Sequence, residues 1–239
     1  MNRENNLLLN ALAMKANSVV DFLMNYPLFS ALNEEELQLL SKMIQYQVRP
    51  KYSYVYHPGE PSEKMYFLMK GVIKVGTHSD DGREVIKAVL HPMALFGELG
   101  LVGEQKRQEF AKAMNQEVHF CTLQVKDVRS LMERNHAFCL AVLNMIGGRL
   151  RNVENRLESL IFKDARTRII EFLKDAANSR GRRIGFEMLV KHCLTQQDIA
   201  NITGTSRQTV TSVLNDLKKE NLIYFNRRSI LIRDMAKLS

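Results

Sequence analysis

Residues 194–218 read LTQQDIANITGTSRQTVTSVLNDLK, and this stretch meets several separate requirements of two short helices joined by a tight turn. Thr195 is a good helix N-cap, and Asp198 follows three residues later, where a capping box places its acidic partner. Ala200 is small where a second helix must cross closely, and Gly204 stands where the turn needs a positive φ. The stretch therefore predicts a helix-turn-helix.

The second helix of this motif, which Ser206 can cap, has two unlike faces. Its inward face is apolar and consists of Val210, Val213, Leu214 and Leu217. Its outward face is polar and consists of Arg207, Gln208, Thr211, Ser212 and Asn215. Arg pairs well with guanine O6/N7 and Gln with adenine N6/N7, so this face can read base edges in a major groove. The alternative is a helical hairpin that carries Ala and Gly at these places by chance.

The segment that follows favours the first interpretation. Residues 222–225 (LIYF) and 230–232 (ILI) are short β-prone runs, and residues 226–229 (NRRS) separate them. This predicts a wing, with Arg227 and Arg228 at its tip. Two guanidinium groups there would contact phosphates, which position a protein on DNA without specifying sequence.

Upstream of the motif, apolar residues recur at alternating spacings of three and four. They are Leu143, Ile146, Leu150, Val153, Leu157 and Leu160. This is the a/d pattern of a coiled-coil seam. A helix packed on its own domain and a helix that pairs with a second copy both fit so short a seam. Charged flanks such as Arg149, Glu154 and Glu158 leave only a narrow stripe to bury, which favours a dimer.

Residues 46–123 contain short β-branched or aromatic runs divided by turn residues, which predicts an antiparallel barrel or sandwich. Asp81-Gly82 between two such runs predicts a hairpin. Before this region, Asn33 is expected to cap a helix whose first turn is acidic. Residues 7–14 are mostly apolar and predict a further, N-terminal helix.

Composition narrows the class of protein. The chain has 239 residues, 45% of them hydrophobic, which suits two ordinary domains. Lys and Arg exceed Asp and Glu by six (14 against 8) in residues 164–239 but by only two (20 against 18) in residues 1–163. A basic C-terminal part suits nucleic acid, although a solvated basic face is the plainer alternative.

Other classes find little support in the sequence. The three cysteines form no C-x-x-C pair, which fits a reducing cytoplasm and excludes a cysteine zinc site. No run of about 18 apolar residues predicts a membrane span. We find no nucleophile and base in sequence context, no phosphate-binding loop and no metal-ligand spacing, so no catalytic residue and no metal site is expected and an enzyme is disfavoured.

The sequence resembles the Crp/Fnr superfamily of transcription regulators over nearly its whole length. The resemblance is carried by Pro27-Leu28-Phe29 with residues 33–37, Gly59-Glu60, residues 66–75, residues 96–101 (FGELGL) and residues 205–210 (TSRQTV). It implies an N-terminal β-roll of the cyclic-nucleotide-binding type, a long central dimerisation helix and a C-terminal winged helix-turn-helix. Two recognition helices would then read a two-fold symmetric site whose half-sites lie about 34 Å apart.

The resemblance also implies functional residues. In cyclic-nucleotide binders of the family, the counterparts of Gly97 and Glu98 hold the phosphate and the ribose hydroxyl, and the counterpart of Arg107 pairs with the phosphate. The full expected effector set is Phe96, Gly97, Glu98, Leu99, Arg107 and Gln108. The expected DNA-binding set is Thr205, Ser206, Arg207, Gln208, Thr211, Ser212, Asn215, Arg227 and Arg228.

This chain departs from the family pattern both at the expected cyclic-nucleotide site and at the residues expected to contact DNA. Gln108 replaces a hydroxyl residue, and Glu109 places a negative charge near where a phosphate would lie, which argues against cyclic AMP. An internal salt bridge between Glu98 and Arg107 is the structural alternative to a working pocket. Gln208 and Ser212 replace residues that read the operator of the cyclic-AMP receptor, so a different half-site is expected.

The cysteines and histidines bear on two redox cofactors, an iron–sulfur cluster and a haem. No Cys precedes Cys121, so an iron–sulfur cluster of the family's oxygen-sensing branch is not expected. Six histidines leave a haem ligand open, although each is more often an ordinary histidine. The cofactor is therefore left undecided by the sequence.

The resulting prediction is an α+β protein with residues 1–136 as effector domain, 137–163 as dimerisation helix and 164–239 as DNA-binding domain. Its expected function is sequence-specific transcription regulation as a cytoplasmic homodimer on double-stranded DNA, with a small-molecule effector in the β-roll and RNA polymerase as a further partner. The alternative is a ligand-binding module whose C-terminal domain docks on a protein.

Overall fold

The computed structural model describes residues 21–238, and the helix predicted at residues 7–14 lies outside them. The described chain divides into two compact units. The first contains the residues up to Val75 together with Val89–Leu150, and the second contains Gly76–Ala88 together with the residues from Arg151 onward. The fold is α+β, as the sequence predicts. No helix within residues 21–238 is long and apolar enough to cross a membrane.

Strands β1 to β8 build the β-roll, in the region where the sequence predicts an antiparallel barrel or sandwich. Two four-stranded sheets have the orders β1-β8-β3-β6 and β2-β7-β4-β5. Tyr66 of β3 pairs with Thr122 of β8 on one side and with Phe96 of β6 on the other. The strands are Gln45–Pro50 (β1), Tyr54–Tyr56 (β2), Lys64–Lys70 (β3), Ile73–His78 (β4), Glu84–Leu90 (β5), Leu95–Phe96 (β6), Phe110–Ala113 (β7) and Glu117–Gln124 (β8).

The predicted turn at Asp81-Gly82 is confirmed. It joins β4 to β5, and Gly82 has a φ of 78°, which glycine adopts without steric cost. The Ser79 amide donates to the Arg83 carbonyl at 2.9 Å and closes the turn. The tip of this hairpin belongs to the second compact unit.

Helices α1 (Glu34–Met43) and α2 (Val125–Arg134) precede and follow the strands of the β-roll along the chain. The predicted cap of α1 is confirmed: Asn33 Oδ1 accepts from the Glu36 amide at 2.9 Å, and Glu36 Oε2 accepts from the Asn33 amide at 3.0 Å. Asn135 Nδ2 donates to the same Glu36 carboxylate at 2.9 Å. Phe29 stacks on Phe138 in the apolar core that these elements enclose.

Helix α3 (His136–Phe162) is the long central helix that the apolar spacing predicts. Phe138 and Val142 in its first turns are fully buried in the core of the first unit, and Ile146 packs half-buried against the same core. The rest of the predicted seam is exposed: Leu143 54%, Leu150 59%, Val153 65%, Leu157 58% and Leu160 45%. Ile146 therefore packs in the core of the first unit, whereas the other five residues form an exposed apolar stripe along α3.

The second unit is a winged helix domain. It contains α4 (Ala165–Arg180), α5 (Gln196–Thr203) and α6 (Arg207–Lys219) with a sheet of order β11-β12-β10-β9. The predicted wing is confirmed as β11 (Ile223–Phe225) and β12 (Ser229–Ile232). The hairpin of β9 (Arg182–Ile184) and β10 (Glu187–Lys191) was not predicted, although a glycine between β-branched and aromatic residues marks its turn.

Candidate DNA-recognition surface and effector site

Helices α5 and α6 form the helix-turn-helix, and each local signal in the sequence acts as predicted. Thr195 and Asp198 make a reciprocal capping box at the start of α5. Gly204 has a φ of 62° at the turn, and Ser206 Oγ accepts from the Thr209 amide at 3.0 Å at the start of α6. Ala200 is fully buried where the helices cross. These local interactions fix the angle at which α6 leaves the turn.

The two faces of α6 separate as the sequence predicts. Its inward residues are all buried: Val210, Val213, Leu214 and Leu217. Arg207, Gln208 and Asn215 are exposed, and their side chains make no hydrogen bond within residues 21–238. Their donors and acceptors are therefore available to a ligand. Ser212 is also exposed and lies 3.5 Å from Asp216 Oδ2.

Thr205 and Thr211 are less accessible than the other expected DNA contacts. Both are half-buried. The Thr205 hydroxyl lies 3.0 Å from the Thr203 hydroxyl inside the turn, and the Thr211 hydroxyl donates to Gln196 Oε1 at 2.7 Å. Ser206 is exposed, but its hydroxyl is engaged in capping α6. Thr205 and Ser206 thus shape the motif, and the hydroxyl groups of both have partners within it.

The wing carries the two arginines at its tip. Arg227 and Arg228 are both exposed, and the Asn226 Oδ1 atom accepts from the Arg228 and Ser229 amides at 2.8 and 2.9 Å. Asn226 thereby holds the turn between β11 and β12 in shape. A fixed turn with two guanidinium groups is suited to phosphate contacts.

Arg168 on α4 braces the turn of the helix-turn-helix, and sequence reasoning missed it. Its Nε atom donates to the Thr203 carbonyl at 2.9 Å, and its Nη2 atom donates to the Gly204 carbonyl at 3.2 Å. Backbone carbonyls at a helix C-terminus lack partners in the helix itself, and a nearby cation satisfies them. Arg168 therefore fixes the end of α5 to α4.

Arg156 on α3 makes similar contacts and was also missed. Its guanidinium donates to the carbonyls of Lys87 (2.5 Å), Ile86 (2.9 Å) and Ile202 (2.5 Å). Burial lowers the pKa of this guanidinium, which remains charged at neutral pH because arginine starts from a very high pKa. Within the second unit, these bonds join β5 to α3 and to the last turn of α5.

In the β-roll, the expected effector residue Arg107 is buried and its guanidinium is already engaged. One Nη atom donates to the Gly97 carbonyl at 2.9 Å, and the other donates to the Lys64 carbonyl. Glu104 Oε2 lies 3.6 Å from Arg107 Nη1. The guanidinium also stacks over the Tyr56 ring at 4.6 Å, while Arg107 Nε is buried and has no hydrogen-bond partner among residues 21–238.

Glu98 does not pair with Arg107, so the internal salt bridge that the sequence allowed between these two residues is not formed. Its buried carboxylate forms an ion pair with Arg149 of α3, and Arg149 also donates to the Leu95 carbonyl. Burial raises the pKa of Glu98, and the charge of Arg149 opposes that rise. Both residues lie in the first unit, so the pair joins α3 to the end of β6.

The remaining expected effector residues divide into buried and exposed positions. Phe96 is buried and stacks on Tyr66 with ring centroids 4.9 Å apart, whereas Leu99 and Gln108 are exposed. Gly97 is buried with a φ of 74°, and an added Cβ there would meet Arg107 Nη1 at 3.0 Å. The half-buried Glu109 accepts a hydrogen bond from the Tyr56 hydroxyl at 3.3 Å, so its charge lies next to the ring on which Arg107 stacks.

A β-roll, a long helix with an apolar stripe and a winged helix-turn-helix together define a class of DNA-binding regulator with an N-terminal β-roll domain. Comparison with known families agrees. Residues 47–135 match the cyclic nucleotide-binding domain, and residues 167–239 match the Crp-like helix-turn-helix domain.

Similar proteins cover most of the chain. A CRP-like cAMP-activated global transcriptional regulator of Mycobacterium tuberculosis is 30% identical over 212 residues, which are 89% of this chain and 94% of that protein. A global nitrogen regulator of Synechocystis sp. is 28% identical and covers 77% of this chain and 83% of its own. The structure of a CooA mutant from Carboxydothermus hydrogenoformans has a TM-score of 0.73 at 27% identity, covering 90% of this chain and 94% of that one. The chain belongs to the family of CRP-like transcriptional regulators.

Proposed function

We propose that this protein is a homodimeric, sequence-specific DNA-binding transcription regulator. The observation that carries the proposal is the division of α6 into two faces. Its apolar face is buried, whereas Arg207, Gln208 and Asn215 are exposed and their side chains form no hydrogen bond with any described residue. The exposed arginines of the wing supply the sequence-independent charge that DNA binding requires. The family of the chain supports the same function.

The apolar stripe of α3 supports the homodimer. Leu150, Val153 and Leu157 are each more than half exposed at a/d spacing, and burying such side chains is worth about 25 cal/mol per Å². A second copy of the same helix offers the complementary stripe. Residues 1–136, 137–163 and 164–239 would then act as sensor, dimer helix and DNA-binding domain.

Regulation through the β-roll is the less direct part of the proposal. A cyclic nucleotide at the expected site would have to displace the Gly97 and Lys64 carbonyls from Arg107. It would also bring its phosphate toward the charge of Glu109, which accepts from Tyr56 beneath Arg107. The residues therefore do not fit cyclic AMP, and we expect DNA binding without it. A different small molecule in the β-roll and contact of the bound dimer with RNA polymerase complete the proposal.

Selection of bound duplexes from a random pool tests this function. We expect wild type to recover a two-fold symmetric site, with the same result when cyclic AMP is present. Arg207→Ala should lose about 1–3 kcal/mol of specific binding and relax the base choice at one position of each half-site. Arg227→Ala is the matched control, because loss of a phosphate contact should weaken binding to all sequences equally. A purified wild type that prefers no duplex would instead favour docking of the C-terminal domain on a protein.

A further inference from the structure

Gln196, the first residue of α5, contacts the outward face of α6. Its Oε1 atom accepts a hydrogen bond from the Thr211 hydroxyl at 2.7 Å. Both side chains are half-buried. The Thr211 oxygen also lies 2.9 Å from the Arg207 carbonyl one helical turn earlier, which holds the threonine rotamer. A side chain of the first helix is thereby held on the recognition face of the second.

This contact leaves one end of the Gln196 amide available. An amide side chain has one acceptor oxygen and two N–H donors, and here the oxygen is taken by Thr211. The Gln196 Nε2 group has no hydrogen-bond partner within residues 21–238 and is not a buried orphan. Because the oxygen faces Thr211, the N–H groups are the part of the amide left for a ligand.

Gln197, the next residue, provides a natural comparison. Its Nε2 atom donates to Asn201 Oδ1 at 2.8 Å along α5 itself. The Gln197 amide nitrogen therefore donates within its own helix, and no hydrogen bond joins it to α6 in residues 21–238. Two neighbouring glutamines thus differ in what they offer to a ligand of the recognition face.

We propose that Gln196 is a specificity-determining residue that reads one base together with Thr211. This inference rests on the proposed function. The Gln196 N–H group donates to an acceptor on a base edge in the major groove, O6 of guanine or O4 of thymine, which both present an oxygen there. Thr211 is a positioning residue: its hydroxyl orients the amide. A base is the partner, and not a phosphate, because the amide is tied to the same face that carries Arg207 and Asn215.

Gln196 held by Thr211 differs chemically from a glutamine that contacts a base alone. A free glutamine can turn its amide over and thus accept or donate, so it tolerates several bases. In the orientation that the structure shows, the bond to Thr211 leaves the N–H groups of Gln196 for a ligand. For the amide to turn over, the Thr211 proton would have to move to the Arg207 carbonyl, which lies 2.9 Å from the same hydroxyl oxygen. The pair is therefore expected to favour an acceptor base over cytosine or adenine, whose exocyclic amines occupy the corresponding place.

Base preferences measured by selection from a random pool test the role of Gln196. We expect Gln196→Ala to lose about five- to tenfold in preference at one position of each half-site, with the other positions unchanged. Gln196→Glu replaces the donors with an acceptor, so the preference at that position should move toward cytosine or adenine. Gln197→Ala is the matched control and should leave the preference profile as it is in wild type.

Variants of Thr211 separate positioning from a structural role. Thr211→Val keeps the shape but removes the hydroxyl, and it should reduce preference at the same position as Gln196→Ala. Thr211→Ser keeps the hydroxyl and should restore the wild-type profile. Circular dichroism confirms that each variant is folded before its profile is compared.

The outcomes distinguish this inference from the function on which it rests. A wild type that selects no site contradicts the proposed function itself. A wild type with a clear site overturns only the present inference when Gln196→Ala selects the same profile. The inference is also overturned when Gln196→Ala weakens binding to all sequences equally, because that result identifies a phosphate contact.

Discussion

Arg149 of α3 pairs with Glu98 at the end of β6, and the two partners differ sharply in exposure. The Glu98 side chain is 6% exposed, whereas that of Arg149 is 40% exposed. Burial raises the pKa of the carboxyl, and the neighbouring guanidinium limits this rise. The long helix is therefore joined to the β-roll by an ion pair whose acidic partner would be costly to leave alone.

Removal of the Arg149 charge should destabilise the first unit by about 1–3 kcal/mol near pH 7.5, less than for a fully buried pair because Arg149 is partly hydrated. We expect this loss in Arg149→Met, which keeps the apolar stem. A carboxyl with a raised folded pKa binds its proton more tightly when folded. Its contribution to stability is therefore present below its ordinary value of 4.5 and is lost as the pH rises.

Urea unfolding of Arg149→Met at pH 5 and pH 7.5 measures this effect. The loss relative to wild type should be larger at pH 7.5. Arg151→Met removes an exposed arginine two residues further along the same helix and serves as control. Equal losses for the two variants at both pH values would contradict a special role of the ion pair.

The same contact illustrates what the sequence could and could not predict. Local signals were reliable because both partners lie within one turn: the capping boxes of Asn33 with Glu36 and of Thr195 with Asp198 are formed as expected. The strands of the β-roll and the helix α3 were also predictable, because burial of one face places apolar residues at regular intervals in the sequence.

Contacts between distant segments were not predictable. Arg149 and Glu98 are 51 residues apart, and an alternative pairing of Glu98 with Arg107 fitted the sequence as well. Arg156 and Arg168 bind backbone carbonyls, which every residue carries and which therefore leave no signature in the sequence. For the same reason, the engagement of Arg107 by the Gly97 carbonyl needed three-dimensional structure.

The exposed stripe on α3 predicts the effect of a charge at its centre. Leu157→Lys should weaken self-association at least tenfold, because each subunit of the proposed dimer would bring an unpaired ammonium into an apolar seam. Sedimentation velocity over a concentration series measures the dissociation. The single chain should stay folded, since Leu157 is 58% exposed there.

Asn155→Lys provides the matched control for this experiment. Asn155 is exposed on the same helix but stands outside the a/d series. The same charge at this position should leave the association state unchanged. A Leu157→Lys protein that sediments like wild type at every concentration would show that the stripe is not the dimer interface.

Gly204 combines a positive φ with a close neighbour in the second unit. Its φ is 62°, and an added Cβ would lie 2.9 Å from Leu160 Cδ2. Gly204→Ala should cost about 1–2 kcal/mol of unfolding free energy, because the left-handed conformation penalises a side chain and Leu160 must shift. Gly185→Ala is the control for the conformational penalty alone, because Gly185 has a φ of 59° but an added Cβ there would meet no described atom within 4 Å.

Thermal unfolding of the two glycine variants separates these contributions. We expect both melting temperatures to fall and that of Gly204→Ala to fall further. Gly204→Ala should also weaken specific DNA binding, because the turn sets the direction of α6. A Gly204→Ala protein with the melting temperature of wild type would contradict the strained turn.

His192 predicts a fall in stability below neutral pH. Its Nδ1 group donates to the Leu194 carbonyl at 3.1 Å, and its Nε2 atom is buried with no hydrogen-bond partner in the described part of the chain. Burial lowers the pKa of His192 below its ordinary value of 6.5, the Leu194 carbonyl opposes this, and the charge of Arg180 lowers it further. The unfolded chain therefore binds a proton more readily than the folded one, and stability is lost as the pH falls below about 6.5.

Urea unfolding of wild type and His192→Gln at pH 7.5 and pH 5.5 tests this linkage. Glutamine keeps an amide N–H for the Leu194 carbonyl but cannot take up a proton. The variant should therefore lose less stability than wild type over this pH range, whatever its stability at pH 7.5. His136→Gln, at an exposed position, is the control and should keep the pH dependence of wild type. Identical pH dependence in wild type and His192→Gln would assign the acid sensitivity of the fold to other groups.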